Sequence, residues 1–352
     1  MITPTTRYDN KRKIVAIPQP QSLVSAAIAF ARALLALPML AIAAQACAQD
    51  YTNTLGMKFV LIPAGTFVMG RTESVDALQQ AFPAFEASRI EQLTDEQPAH
   101  PVEITKSFFL GQHEVTVGQF RKFLEVSGYV PESIRDQTGG YGYNKNYDPS
   151  KTVKKDAFEG RHPKYSWQNP GFAQTENDPV TNVTFNDAVY LATWLSQQEG
   201  KTYRLPTEAE WEYSCLAGTQ TRFGVGDDPE ALSAYANLYD QSTAKNWAQW
   251  KSFAQKTDDG FAFTSPVGSF KPNNFGLYDM SGNVWEWVSD TYSARYPEGK
   301  ATDPTGPGTN ELRIRRGGSW HTWALYSRCQ FRNWNTAETR YPLVGMRLLL
   351  EP

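Results

Sequence analysis

Only three stretches of this 352-residue chain carry helical periodicity between a start and a stop signal, and that scarcity constrains the fold more than any other feature. Thr116 and Gln119 form a capping box, Phe120, Phe123 and Leu124 follow at helical spacing, and Gly128 stops the run. A second helix is predicted over 187–198, with Ala188, Leu191, Ala192 and Leu195 on one face and Gly200 after it. A third starts at the Thr207/Glu210 capping box and stops near Gly218. Elsewhere 25 glycines and 22 prolines interrupt the chain too often for long helices. Strands are predicted over 57–62 and 65–70, as a hairpin around Pro63, and again over 107–110, 312–315 and 344–350. Residues 71–105 read as a polar loop, and 129–178, rich in Gly, Tyr, Asn and Pro, as a long surface excursion. Ten Trp, 17 Tyr and 19 Phe still provide for a large core. The pattern implies one α+β domain with much irregular structure, and no linker divides it.

The N-terminus belongs to a different class. Lys11, Arg12 and Lys13 precede an apolar run over 33–44, and small residues follow up to Ala48. A basic region, an apolar region and an A-x-A site form a secretory signal over 1–48, with the domain over 49–352. The run is short for a membrane span, so no span is expected in the mature chain. A lipid anchor on Cys47 is the weaker alternative, because Ala44-Gln45-Ala46 is a poor lipobox. An uncleaved anchor is the third, and all three place the domain outside the cytoplasm, periplasmic or secreted. A net charge of −3 argues against nucleic acid as a partner. The cysteines at 47, 215 and 329 cannot build a disulfide-rich framework. The four histidines, at 100, 113, 162 and 321, show no zinc spacing.

The stretch from Asp279 to Glu286 offers two carboxylates around a turn at Gly282, with Asp258 and Asp259 in a second acidic turn upstream. Calcium takes six to eight oxygens from carboxylates and carbonyls, which such loops supply. An Asx turn beside a buried tryptophan and a salt-bridged glutamate would read the same way.

Several stretches together resemble the formylglycine-generating enzyme (sulfatase-modifying factor) family. They are 57–70, Glu114–Thr116, Pro179–Asp187, Arg204–Tyr213, Gly276–Asp279, Gly282–Trp287, Arg316–Trp320 and Gly345–Arg347, in family order across nearly the whole mature chain. The resemblance implies a single-domain C-type-lectin-like variant. It implies two calcium ions, one at Asn237, Leu238, Asp259 and Phe261, the other at Asp279, Gly282, Val284 and Glu286. In the oxidases of the family, two cysteines after the Gly-Gly-Ser element bind copper(I) and activate oxygen. Here those positions are Thr322 and Ser327, and hydroxyls are poor ligands for a soft ion. Copper is therefore not expected, and any redox metal, such as a non-haem iron, would need other ligands. Cys329, two residues beyond, could restore at most one thiolate. The family's disulfide partner for Cys215 falls at Leu348, so Cys215 is expected to be a buried free thiol.

The expected working surface follows the Gly317-Gly318 turn. It comprises Ser319, His321, Thr322 and Ser327 as candidate catalytic groups and Trp320, Trp323, Arg332 and Trp334 as ligand contacts. His321 reads as a general base, a metal ligand or a hydrogen-bonded pocket histidine. The functions that follow are an extracytoplasmic oxidase-superfamily protein acting on a peptide, protein or small secreted metabolite by a non-copper route, a binding protein on the same scaffold, of the retroelement-diversified type, or an inactive sulfatase-binding paralogue.

Overall fold

The computed structural model describes residues 50–352 except 149, 151–156, 307, 309 and 310. The signal expected over 1–48, with Cys47, lies outside them. All three helices form where their caps place them. Thr116 caps Val117–Ser127 with the reciprocal Gln119 bond, and Gly128 closes it in the left-handed region. Phe185–Glu199 begins two residues earlier than the periodicity suggests, because Thr184 and Asp187 make a further capping box. Glu208–Leu216 follows Thr207 and is buried along almost its whole length.

Among the described residues the strands form four small sheets. Lys58–Ile62, Phe108–Gly111 and Leu349–Leu350 lie at the centre of an antiparallel five-stranded sheet, with Tyr51–Thr52 and Tyr203–Arg204 at its edges. Gly65–Met69 pairs with His100–Ile104 in another sheet, so the hairpin expected around Pro63 does not form. Pro63 instead marks the point where the chain leaves one sheet for the next. A four-stranded sheet carries Asn333–Thr336, Leu312–Arg316, Trp285–Thr291 and Val344–Met346 in that order.

Two segments are more ordered than their composition suggests. The 71–105 region forms the short helices Val75–Ala81 and Ala87–Glu91, and their Leu78 and Ile90 enter an aromatic core cluster with Phe82 and Phe85 from between them. The 129–178 region contributes Gly140–Gly142 paired with Glu159–His162, and buries Phe158, Tyr165 and Trp167. Among the described residues no helix is long and apolar enough to cross a membrane.

With so little regular structure, buried arginines tie the loops together. The fully buried Arg316 donates to Glu208 and Glu212 at 2.7 and 2.6 Å. Arg328 donates to both oxygens of Glu96, at 3.1 and 2.6 Å, where Arg71 also points. Arg347 holds Glu286 at 2.7 Å. Burial alone would penalise each charge, so every such pair obliges its partner to stay.

Cys215 is not a free thiol. It forms a disulfide with Cys329, Cα atoms 5.7 Å apart across a separation of 114 residues, and both residues are fully buried. The bond ties the Glu208–Leu216 helix to the chain after the Gly-Gly turn. The partner comes from that segment rather than from position 348, and no shift in register can present Cys329 as a thiolate.

Candidate functional site

The Gly-Gly turn leaves no room for a side chain at its second residue. Gly318 has φ +85°, and a Cβ there would meet Ser327 Oγ at 2.2 Å, so only glycine fits. The turn sets up a compact knot behind it. Ser319 Oγ and Thr322 Oγ1 are 2.7 Å apart, Ser319 N donates to Thr322 Oγ1 at 3.0 Å, and Thr322 N donates to Ser319 O at 2.8 Å. Ser327 is fully buried at the end of the Ala324–Ser327 turn, and Ser281 Oγ donates to its carbonyl at 3.0 Å.

Beside this knot opens a cavity of about 830 Å³. It lies over the Leu312–Arg316, Trp285–Thr291 and Asn333–Thr336 strands. Of the residues expected at the site, His321, Thr322, Trp323, Arg332 and Trp334 line it together. Ser319, Trp320 and Ser327 do not. Trp320 is fully buried with its Nε1 donating to Pro342 O at 3.2 Å, and so is core rather than ligand contact.

His321 sits among the rings of Trp247, Phe158, Tyr239, Trp250 and Trp320, with centroids 4.4 to 5.5 Å away. Its Nε2 has no hydrogen-bond partner. Burial among apolar rings pushes its pKa down to about 3. The imidazole is therefore neutral at physiological pH and can accept or donate a hydrogen bond without carrying charge.

Arg332 does not serve as a free anchor. Its Nε and Nη2 donate to the two oxygens of Glu208 at 2.7 and 2.9 Å, and its Nη1 donates to Asp95 O and Ser293 O. It reaches the cavity wall as part of the ion network that also holds Arg316. The cavity cation that sequence reasoning missed is Arg315. On an Arg313-Ile314-Arg315-Arg316 strand, alternation puts Ile314 and Arg316 inward and Arg315 on the opposite face, and that alternation was the signal available. Trp285, Tyr292, Asn333 and Asp95 are further lining residues outside the expected set.

The two sets of implied calcium ligands behave differently. In the first, Asn237 Nδ2 donates to Phe263 O at 2.8 Å while its Oδ1 has no partner. Asp259 Oδ1 accepts from Phe261 N at 2.8 Å and Oδ2 has no partner. Two buried oxygens left unpaired fit a hard cation that takes oxygen donors. In the second, Asp279 Oδ1 is likewise unpaired, but Glu286 is committed. Its oxygens accept from Arg347 and, at 2.7 Å, from Trp211 Nε1. A guanidinium stands where that cation would draw on Glu286, so the second set does not fit calcium. Gly282 and Val284 complete the turn instead. Gly282, at φ +83°, lies where a Cβ would strike Asn237 O at 2.2 Å, which packs the two loops against each other. Among the described residues no three His, Cys, Asp or Glu side chains converge as a metal site. The first set needs no such convergence, since it has one carboxylate and one amide.

The sulfatase-modifying factor enzyme 1-like domain model matches residues 44–352. The formylglycine-generating enzyme of Mus musculus is 31% identical over 307 residues, covering 82% of this chain and 74% of that protein. The inactive C-alpha-formylglycine-generating enzyme 2 of Mus musculus is 28% identical over 276 residues, covering 74% and 73%. Among solved structures, that of PvdO from Pseudomonas aeruginosa has a TM-score of 0.65 at 27% identity and covers 87% of this chain and 98% of that one. The fold is the C-type-lectin-like variant that these proteins share.

Proposed function

Because the chain belongs to the sulfatase-modifying factor family, we propose that it is a formylglycine-generating-enzyme-like protein working outside the cytoplasm. In this reading it holds a peptide or a peptide-like secreted metabolite in the aromatic cavity beside Thr322. It oxidises that ligand at the expense of dioxygen without a copper(I)–thiolate centre. One observation carries the reading. The two positions that would supply thiolates are the hydroxyls of Thr322 and Ser327, and the next cysteine along the chain, Cys329, is consumed in a disulfide. Copper(I) needs soft donors, and the cavity wall provides oxygen, nitrogen and aromatic carbon.

Calcium, in the same reading, is a structural ion at Asn237, Leu238, Asp259 and Phe261, and plays no part in the chemistry. His321 would orient a ligand as a neutral hydrogen-bonding group. Its depressed pKa makes it a poor proton acceptor near neutrality. A mature N-terminus at Gln49, read by sequencing of the exported protein, would support the location.

The test gives the purified protein a Cys-x-Pro-x-Arg peptide under air, with and without copper, and reads formylglycine by mass spectrometry. No conversion is expected, and conversion would overturn the reading. A second reading, ligand binding without oxidation, draws on the hydroxyls of Ser319 and Thr322, which are bonded to each other. It predicts no dioxygen consumption with any ligand that binds the cavity.

A further inference from the structure

The cavity wall carries four charged groups, Arg89, Arg315, Arg332 and Asp95. Arg332 is neutralised by Glu208. Arg89 meets Tyr326 at the exposed rim, through a hydrogen bond and over the ring. Arg315 differs from the buried arginines that hold the fold together. Among the described residues no carboxylate pairs with it. Its Nε and Nη2 donate to one atom, Asn333 Oδ1, at 3.3 and 3.2 Å. Its guanidinium stands 5.9 Å from the ring centroids of both Trp285 and Trp287. Burial lowers its pKa to about 10, so it stays protonated at neutral pH. A half-buried cation at the cavity wall with no carboxylate paired to it has its desolvation met only by Asn333 and the indole rings until an anion arrives.

The surroundings narrow that anion. A guanidinium presents a planar fork that matches the two oxygens of a carboxylate. Asn333 accepts from Arg315 with its Oδ1, and so has its Nδ2 to offer as a further donor. A phosphate would bring close to two negative charges beside Asp95, where a carboxylate brings one, and is poorly matched. Trp285, Trp323 and Trp334 supply aromatic area in the same cavity, and Trp323 Nε1 and His321 Nε2 are polar atoms with no partner.

We propose that the cavity recognises an aromatic carboxylate, with the carboxylate on Arg315 and Asn333 and the ring among the cavity indoles. This rests on the reading that the cavity is the working site, and deepens it by naming the ligand class. It makes the ligand anionic, whereas a Cys-x-Pro-x-Arg peptide is a cation at its recognition end.

N-acetyl-L-tyrosine and its neutral amide differ only in the charged group, and their binding to the mature protein can be compared by tryptophan fluorescence and calorimetry. The free acid is expected to bind roughly tenfold or more tighter than the amide, the factor for one charge-assisted hydrogen-bond pair. Arg315→Gln should erase the preference while leaving the melting temperature near the wild-type value, and Arg315→Lys should keep part of it. Equal affinity for acid and amide in the wild type overturns the proposal, and so does failure of both to bind. These comparisons need only the wild type, so they stand even if a variant misfolds. They also separate from the oxidation reading, since a preference for the acid without any turnover leaves the ligand class intact and removes the chemistry.

Discussion

Replacing both cysteines, Cys215→Ala with Cys329→Ala, should destabilise the domain without unfolding it. The bond closes a segment of 114 residues, and the loop-entropy relation gives about 16 cal/mol/K for that length, or about 4.8 kcal/mol at 25 °C. Unfolding entropy near 2.1 cal/mol/K per residue makes about 0.6 kcal/mol/K for a domain of about 300 residues. The melting temperature should therefore drop by about 7 to 8 °C, and a reductant should lower the wild type to a similar value while leaving the variant unmoved. Calorimetry of both proteins with and without reductant reads the shift. Alkylation of the unfolded, unreduced wild type followed by peptide mapping reads the bond itself, with neither residue labelled. Labelling at both 215 and 329 would refute the reasoning, and so would a wild type indifferent to reductant.

Glu208→Gln should cost about 3 to 5 kcal/mol by chemical denaturation, because Arg332 loses the carboxylate that its Nε and Nη2 both bond and Arg316 is left with Glu212 alone. A loss below 1 kcal/mol would mean those charges are solvated in solution. A chelator should lower the melting temperature, calcium should restore it better than magnesium, and Asp259→Asn should abolish the response. A wild type whose melting curve ignores the chelator would remove the ion. His321 titrates near 3 in the fold against about 6.5 unfolded, so the unfolded state binds the extra proton between those values. Stability contributed by the neutral imidazole is complete above about 6.5 and is lost as pH falls toward 3. His321→Phe should accordingly lose less stability on acidification from pH 6.5 to 4, by up to about 1.4 kcal/mol per pH unit, and parallel curves would contradict the assignment.

Local signals were legible and long-range ones were not. The capping boxes at Thr116 and Thr207 placed helices to within a few residues, because a cap is settled by four neighbouring residues. Trp285–Thr291 escaped notice as a strand since nearly every residue of it is buried, which leaves no alternation to read. The 71–105 region looked polar because its helices are short and its few apolar residues find partners far along the chain, Phe85 against Phe253 and Trp323 for instance. At the site, the turn and its neighbourhood were evident from Gly317-Gly318, and five of the expected residues do meet in one cavity. Which arginine is spare was not evident. Arg332 and Arg315 look alike in sequence, and only the position of Glu208, 124 residues before Arg332, distinguishes them.

Copper(I) titration tests the central claim most directly. The purified, non-reduced mature protein competes with a chromophoric copper(I) chelator, and alkylation of any thiol is followed alongside. The account predicts that the chelator keeps the copper, because Thr322 and Ser327 provide no thiolate and Cys329 is bonded to Cys215. One tightly held equivalent of copper, with Cys329 found as a free thiol when the metal is absent, would contradict it.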